Sequence, residues 1–247
     1  MFFEAPPKRD IFLRLISDNK ILVVSCDSSG AIGPKDGDLI KVAGEIVGKF
    51  MARSALMEVL ASGAKPICIS CGLSVEPLPT GYSIIKGVKE EMKIIGMDSE
   101  KDLLLSTEKN FPTNQTGLGI TVIGVVDKEE LRIGRSKRGD IIVSIGIPSV
   151  GMEVLRNEVA DLRDLLCLLS MKFIHSIIPV GSKGIIYESK VLAAEAMLEV
   201  KFLDKIEIDI KKSAGPSTVL LATLEENKFE DLKEKINKPI HKIAILK

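Results

Sequence analysis

The sequence has no tryptophan, few aromatic residues and no excess of either charge. Aromatic residues make up 4% of the 247 positions, and 34 basic residues balance 34 acidic ones. The core must therefore be built from aliphatic side chains. A nucleic-acid-binding domain carries a basic excess, so we expect no nucleic-acid partner. A small-molecule anion remains a possible ligand, because one such site needs only a few charges.

Long hydrophobic runs are also absent. No apolar run approaches the roughly 20 residues that span a bilayer, so we expect no membrane association. The first ten residues, MFFEAPPKRD, have acid and proline where a signal peptide has its basic and apolar regions. We therefore expect a cytoplasmic protein whose four cysteines are reduced.

Cysteine and histidine are too scarce to indicate a metal or hydrolase site. Cys68 and Cys71 form a CxxC within PICISCG, which is typical of a buried strand. Residues three apart on a strand point to opposite faces, so we interpret these cysteines as core thiols. His175 and His241 give no Ser–His–Asp or Cys–His arrangement. Phosphoryl transfer tolerates the lack of a strong base, because positioning and metal charge do most of the work.

Apolar periodicity predicts an α/β protein. It indicates strands at 21–26 and 118–126 and a helix over Glu45–Ser62 that ends before Gly63. Strands that alternate with helices are typical of the α/β class. A charged, turn-like stretch near 127–140 predicts a boundary between an N-terminal domain, 1–130, and a C-terminal domain, 131–247. In the latter, 177–186 reads as a Gly-bearing loop and 205–210 as a strand.

The first stretch that could carry chemistry is SCDSSGAIG. The predicted strand delivers Asp27 to a loop of small residues, Ser28, Ser29, Gly30 and Gly33. Small residues let backbone N–H groups approach a phosphate closely, and a nearby carboxylate can hold Mg²⁺. The stretch is neither a Walker A loop nor GxGxxG, and an ordinary tight turn remains the alternative.

Two further acids are candidate metal ligands. Glu58 lies on an otherwise apolar helix, and Glu108 follows a strand end, as Asp27 does. Ligands in open α/β sheets bind beyond the carboxyl ends of strands, so these three acids could converge on Mg²⁺. Asp36 and Asp38 are spare candidates, and a solvated helix face is the alternative for Glu58.

Two C-terminal loops offer cations beside small residues. PVGSKGIIYE contains Lys183 just before a predicted helix, where an anion is favoured. KKSAGPST contains Lys212. An ordinary loop remains the alternative for each.

As an ordered set, the motifs resemble the aminoimidazole ribonucleotide synthase-like superfamily. SCDSSGAIGPK resembles its first motif, ARSALMEVLASGAKP its helix motif, TEKNFPTNQTGLGITVIGVV its metal-site strand end, and RSKRGDIIVSIGIP its interdomain linker. The resemblance covers most of residues 20–150. It implies two α/β domains, ATP and Mg²⁺ in the N-terminal one, and a homodimer whose N-terminal sheets form a shared barrel.

The resemblance also implies roles for individual residues. Asp27, Glu58 and Glu108 would hold Mg²⁺, although relatives usually have aspartate at the last two positions. Backbone groups from Ser28 to Gly33, with Lys35, would contact phosphate. Lys183 or Lys212 would neutralise charge that develops at the acceptor.

Within the superfamily, the motifs most resemble those of the α-ribazole kinases, which serve salvage of the lower ligand of cobamides. This implies ATP-dependent phosphorylation of the 5′-hydroxyl of α-ribazole, a small-molecule substrate. Two alternatives remain open. One is another ATP-dependent reaction on the same fold, such as ring closure or phosphorylation of a different alcohol. The other is a non-catalytic nucleotide-binding regulator.

Overall fold

The computed structural model describes residues 8–247. Residues 1–7, on which the expected lack of a signal peptide partly rests, lie outside the described residues. The chain forms two units. The N-terminal unit consists of Ile11–Leu60 and Ala64–Glu130, and the C-terminal unit consists of Leu131–Lys247 with residues 8–10 and Ala61–Gly63. That residues 1–130 form an ATP-binding, dimer-forming domain stays a prediction.

The N-terminal unit is built on a five-stranded mixed sheet with two helices. Its elements are β1 (Ile11–Ser17), β2 (Lys20–Gly30), the short β3 (Ile32–Gly33) and β4 (Ile40–Lys41), α1 (Gly44–Ala61), β5 (Lys65–Leu73), α2 (Tyr82–Ile94), β6 (Leu103–Thr107) and β7 (Gly117–Asp127). The sheet order is β1-β2-β7-β5-β6. Neighbouring strands are antiparallel except for β5 and β6, which are parallel. The predicted α/β class is confirmed.

Strand β2 continues to Gly30 instead of ending at Cys26, so the predicted loop begins too early. Its ladder with β7 runs without interruption to the pair Gly30–Gly117. Pairing along a long partner strand overrides the low strand propensity of aspartate, serine and glycine. Asp27 therefore lies inside the strand, opposite Ile120, and not on a loop after it.

The two faces of this sheet differ in burial. Ser25 donates a hydrogen bond from Oγ to the Ala55 carbonyl of α1 at 2.7 Å, so this face of β2 packs on the helix. Residues on the opposite face remain partly exposed although many are apolar. We call this the open sheet face and define it by residues that share this face of the strands: Phe12, Val24, Cys68, Leu104 and Ile123. Phe12 pairs with Val24, Val24 with Ile123 and Ile123 with Cys68, and Leu104 pairs with Ser70, two residues along β5 from Cys68.

Helices α1 and α2 cross with their backbones in contact. A Cβ on Gly48 would lie 1.9 Å from the Ile84 carbonyl oxygen, and one on Gly87 would lie 1.9 Å from the Glu45 carbonyl oxygen. No side chain fits at either position, so glycine is required for this approach. The crossing brings the first turns of the two helices together.

A buried ion pair joins the same two helices further along. Arg53 donates to both carboxylate oxygens of Glu91, at 2.9 and 3.2 Å, and both side chains are buried. Removing one partner of a buried pair leaves an uncompensated charge and is strongly destabilising. The pair therefore holds the helices in one register.

The C-terminal unit contains a second five-stranded sheet, which is antiparallel throughout. Its elements are β8 (Ile141–Ile145), α3 (Leu162–Ser170), β9 (Ile174–Val180), α4 (Gly184–Glu195), β10 (Val200–Phe202), β11 (Val219–Leu224), α5 (Phe229–Lys233) and β12 (Ile240–Leu246). The strand order is β10-β12-β8-β11-β9. Every residue of β8 and β11 is buried, so the sheet centre is covered on both faces. Across residues 8–247, no helix is long and apolar enough to cross a membrane.

Two predictions for this unit were wrong. The residues around 177–180 form the end of β9 and not a loop, and α4 begins at Gly184. Residues 205–210 are not a strand. Their alternating isoleucines, Ile206, Ile208 and Ile210, pack on the core that contains α4. The alternation of residues 205–210 therefore reflects side-chain burial without strand pairing. The edge strand that pairs with β12 is instead β10, which lies earlier in the chain.

The C-terminal end of α4 predicts a stabilising substitution. Met197 has φ +56°, is 93% exposed, and lies in a helix-ending motif in which Leu198 N donates to Ala193 O at 2.9 Å. A left-handed conformation is unfavourable for methionine and free of strain for glycine. We expect Met197→Gly to raise the free energy of unfolding by about 0.5–1 kcal/mol, measured by urea denaturation. Met197→Ala keeps the Cβ and should give no such gain; an equal gain would contradict the backbone explanation.

Candidate functional site

The N-terminal unit contains an open cavity of about 520 Å³ with a mixed polar and apolar lining. Three loops and the starts of two helices form its walls. The lining residues are Pro34, Lys35, Asp36, Ala43, Gly44, Pro79, Thr80, Ser83, Thr113 and Asn114. Two charged residues, Lys35 and Asp36, and several residues with hydroxyl or amide groups thus border one volume, which is large enough for part of a drug-sized ligand.

The N-terminal ends of α1 and α2 meet at this cavity. Gly44 is the first residue of α1, and Ser83 lies in the first turn of α2. Ser83 Oγ accepts a hydrogen bond from Glu45 N at 3.1 Å, which links the two helix starts. A helix start carries partial positive charge, and α1 begins at the cavity. Helix α2 continues the helical turn Pro77–Gly81, and Tyr82 N donates to Pro77 O and Pro79 O.

Asp38 anchors the loop that carries Lys35. Its carboxylate accepts hydrogen bonds from Thr116 N at 2.6 Å, Thr116 Oγ1 at 2.7 Å and Lys35 N at 2.8 Å. Burial would raise the pKa of Asp38, but these hydrogen bonds outweigh burial and lower it. A Cβ on Gly33 would lie 2.3 Å from Thr116 Oγ1. Gly33 and Asp38 therefore serve loop packing.

Glu76 connects two walls of the cavity and was not identified from the sequence. It accepts a hydrogen bond from Lys35 Nζ at 2.5 Å and another from the hydroxyl of Thr80. Partial burial would raise the pKa of Glu76, but these two hydrogen bonds outweigh it and lower the pKa to about 2. Glu76 thus holds the Lys35 ammonium beside the start of α2.

The predicted phosphate-contacting residues occupy different places. Ser28, Ser29 and Gly30 lie within β2, and Gly33 is buried against Thr116. Of this predicted set, Lys35 lines the cavity. The serines contribute to a strand ladder and not to the cavity wall, and the phosphate contacts of this set stay a prediction.

The three predicted metal ligands also lie in different settings. Asp27 is in mid-strand and accepts a hydrogen bond from Ser28 N. Glu58 is 14 residues after Gly44 in α1, about 21 Å along the helix from its start. Glu108 accepts hydrogen bonds from Asn110 N and Phe111 N, which lower its pKa. Within residues 8–247, no group of three or more Asp, Glu, His or Cys side chains could hold a metal ion.

Lys183 and Lys212 lie in the C-terminal unit, each with an acidic partner. Lys183 Nζ donates to Asp10 at 2.7 Å, and Lys212 Nζ lies 2.7 Å from Glu153. Their loops approach each other closely, since a Cβ on Gly184 would lie 2.9 Å from the Lys212 carbonyl oxygen. The two predicted lysines are thus carried by adjoining loops. Their role at the acceptor stays a prediction.

The cysteines are free thiols. Cys71 is buried, and burial, with a smaller effect of Cys68, raises the pKa of its thiol to about 12. A thiol with so high a pKa is a poor nucleophile and a poor metal ligand at neutral pH. The interpretation of Cys71 as a core thiol agrees with this environment.

Comparison with known proteins identifies the fold. No family model and no curated protein sequence matches the chain. Among solved structures, it is similar to thiamine-monophosphate kinase from Stenotrophomonas maltophilia K279a, with 18% identity over 96% of this chain and 88% of that one and a TM-score of 0.61. It is also similar to the hydrogenase maturation protein HypE in complex with ATP, with 18% identity over 96% and 78% of the two chains and a TM-score of 0.63.

A third similar structure is T. maritima PurL complexed with ADP. The identity is 17%, the TM-score is 0.65, and the match covers 97% of this chain but 43% of that one. At this level of identity the comparisons establish fold and not activity. The predicted two-unit α/β fold is shared with these structures.

The environment of Glu76 predicts a pH dependence of stability. Because its pKa is lowered from 4.5 to about 2 in the folded state, ionised Glu76 stabilises the fold above about pH 4.5. This contribution is lost as the pH falls towards 2. We expect Glu76→Gln to lower the free energy of unfolding at pH 7, and the difference from wild type to shrink between pH 4.5 and 2.

The control is Glu100→Gln, at a much more exposed ion pair with Lys89. It should change stability little across this range, because exposed ion pairs contribute little. A Glu76→Gln difference that stayed constant down to pH 2 would contradict the assignment.

Proposed function

We propose that this protein is an ATP-dependent phosphotransferase and that the cavity of the N-terminal unit receives the phosphates of ATP. The observation that carries the proposal is that the start of α1, the helical turn that precedes α2 and Lys35 line one cavity. Helix N-termini and a lysine are the groups with which proteins commonly bind phosphate. Two similar structures contain ATP or ADP, and another is a kinase, which supports the proposal by analogy.

Magnesium is the ion expected with ATP, and the residues present fit it. Mg²⁺ is usually held by one or two carboxylates with water and substrate phosphates, not by an all-protein cage. Asp36 supplies one carboxylate in the cavity wall. When bound, the ion would neutralise phosphate charge. Ligation by Asp27 and Glu108 remains part of the proposal, to be tested at Asp27. Glu58, about 21 Å along α1 from the helix start at the cavity, cannot share an ion bound there.

The proposed reaction needs positioning more than it needs a strong base. A hydroxyl oxygen of the acceptor attacks the γ-phosphorus, the bond to the β–γ bridging oxygen breaks, ADP leaves, and the hydroxyl proton passes to solvent. Lys35 and the helix starts would hold the donor phosphates still during transfer. Lys183 and Lys212 would supply counter-charge at the acceptor.

The proposed acceptor is the 5′-hydroxyl of α-ribazole. This choice rests on the combination of DSSGAIG, TEKNFPTNQTG, PVGSKGI and KKSAGP in one chain. Ring closure, another alcohol acceptor and nucleotide binding without turnover are the alternatives that the assay distinguishes.

We expect the protein, with ATP and Mg²⁺, to convert α-ribazole to a product heavier by one phosphate, detected by mass spectrometry.

Lys35→Ala should weaken ATP binding at least tenfold, because it removes the lysine that lines the cavity. Asp27→Asn should abolish turnover without unfolding the protein. The control, Lys101→Ala, removes an exposed lysine of the same unit and should behave as wild type.

The outcomes separate the alternatives. ATP binding without a phosphorylated product would remove α-ribazole and call for a screen of other acceptors. Unchanged ATP affinity in Lys35→Ala would contradict the cavity as the phosphate site. A near-normal rate in Asp27→Asn would contradict its role as a metal ligand.

We also propose a homodimer formed through the open sheet face. Val24 and Ile123 are paired at its centre, and Phe12 and Leu104 are 53% and 64% exposed. Contiguous apolar surface of this kind marks association sites. A second copy of the same sheet would bury it.

We expect Ile123→Asp to convert the dimer to a monomer, because a buried unpaired carboxylate at the interface centre is costly. Sedimentation velocity gives the mass, and circular dichroism verifies that the fold is kept. Met197→Asp places an acid at an exposed apolar position of the C-terminal unit and should leave the dimer intact. A wild-type monomer, or a dimeric, folded Ile123→Asp, would refute this interface.

A further inference from the structure

The core of the C-terminal unit contains polar atoms that the proposed function does not use. Ser144 Oγ, Ser189 Oγ and His241 Nε2 are buried, and none has a hydrogen-bond partner among the residues that the structure describes. The two serines are completely buried. Buried polar atoms of folded proteins nearly always have a partner, so three such atoms in one core need an explanation.

The sheet register places Ser144 and His241 side by side. His241 on β12 is paired with Ser144 on β8, and Ser144 is paired with Leu221 on β11. Directly paired residues of antiparallel strands share a face, with Cβ atoms about 4.5–5.5 Å apart. Leu221 belongs to the core on which α4 packs, so Ser144 and His241 lie on the α4 face of the sheet.

The third polar atom lies on the helix that covers this face. Ser189 is in α4, four residues after Ile185 and three before Leu192, and both of these belong to the same core as Leu221. Residues three and four apart share one side of a helix. Ser189 is therefore on the stripe of α4 that packs on the sheet, in a core whose fully buried members are all aliphatic.

The two ring nitrogens of His241 have different surroundings. Nδ1 lies 3.4 Å from Glu207 Oε2, on a side chain that is 75% exposed, whereas Nε2 is buried. Ser144 Oγ and His241 Nε2 do not bond each other directly, although their backbones are paired. Two polar groups that lie slightly too far apart for a direct hydrogen bond are commonly bridged by water.

The chemistry of the three atoms fits a water molecule better than an ion. Water can donate a hydrogen bond to His241 Nε2 and accept one from the Ser144 hydroxyl. Buried waters typically make about three hydrogen bonds to polar groups that otherwise have no partner, and Ser189 offers the third. An ion would need a counter-charge in the core, whereas water needs only donors and acceptors.

We propose that the C-terminal unit binds one structural water molecule between β8, β12 and α4. Ser144 Oγ and His241 Nε2 hold it from the sheet, and Ser189 Oγ holds it from the helix. The bound water satisfies all three atoms and fixes the His241 ring in one orientation.

The water site also supports the segment that leads to Lys212. A fixed His241 ring keeps Nδ1 beside Glu207. Two residues later, Asp209 accepts hydrogen bonds from Lys211 N and Lys212 N at 2.9 and 3.2 Å. The site thus anchors the start of a loop whose lysine has its own part in the proposed function.

The first test detects the water directly. A high-resolution crystal structure should show an ordered water within hydrogen-bond distance of Ser144 Oγ and His241 Nε2. In solution, magnetic relaxation dispersion counts the waters that stay bound for longer than the protein takes to rotate. Ser144→Val places an apolar group at the site and should lower that count by one. Ser170→Ala changes an exposed serine of α3 and, as the control, should leave the count unchanged.

The stability of Ser144→Ala gives a second test, because the two explanations predict opposite signs. If the water is bound, the variant leaves it one hydrogen bond short, and the urea midpoint should fall. If the hydroxyl has no partner, its removal relieves a buried polar group and the midpoint should rise. The ¹⁵N resonance of His241 Nε2 should also shift in Ser144→Ala, whereas that of the other histidine, His175, should not.

Three outcomes would overturn the inference. They are a direct bond between Ser144 Oγ and His241 Nε2 without a water in the crystal structure, an unchanged water count in folded Ser144→Val, and a raised urea midpoint in Ser144→Ala. If Ser144→Val does not fold, the crystal structure and Ser144→Ala decide. None of these outcomes bears on the cavity of the N-terminal unit.

Discussion

The candidate site depends on the contact between the backbones of α1 and α2. Gly48 and Gly87 leave no room for a side chain at the crossing, and a larger residue at either position would push the helices apart. Such a displacement would separate Gly44 from Ser83 at the helix starts, where Ser83 accepts from Glu45 N. The shape of the cavity thus depends on a steric property, because the start of α1 and the residues around the start of α2 border the same volume only if the helices touch.

Carboxylates complete the site by holding its loops rather than by facing a ligand. Asp38 uses both oxygens on Thr116 and Lys35, and Glu76 uses both on Lys35 and Thr80. The ammonium of Lys35 is consequently positioned before any anion arrives, which reduces the entropy lost on binding. Its charge is also partly compensated, so the cavity does not depend on burying an unpaired lysine.

Much of the fold could be predicted because it depends on local patterns. The helix over α1 and the strand β7 follow from apolar periodicity, and the motif order indicated the superfamily fold. The end of β2 could not be predicted, since Asp27 to Gly30 have turn composition and only the partner strand keeps them extended. Glu76 was missed because a single acid near two prolines matches no known sequence motif. Its role depends on the hydrogen bond from Lys35, which is 41 residues away in the sequence. Sequence spacing likewise could not reveal that Glu58 lies four turns from the cavity end of α1.

The ion pairs of the chain differ in whether a ligand can displace one of the two partners. The Arg53–Glu91 pair is buried and bidentate, so a ligand cannot replace either partner without leaving a charge in the core. Lys183 and Lys212 are paired with exposed acids, Asp10 and Glu153. Such pairs are weak and screened by salt, and an anionic ligand with better geometry can displace the acid. The observed pairing is therefore compatible with the proposed role of these lysines at the acceptor, whereas Arg53 is confined to structure.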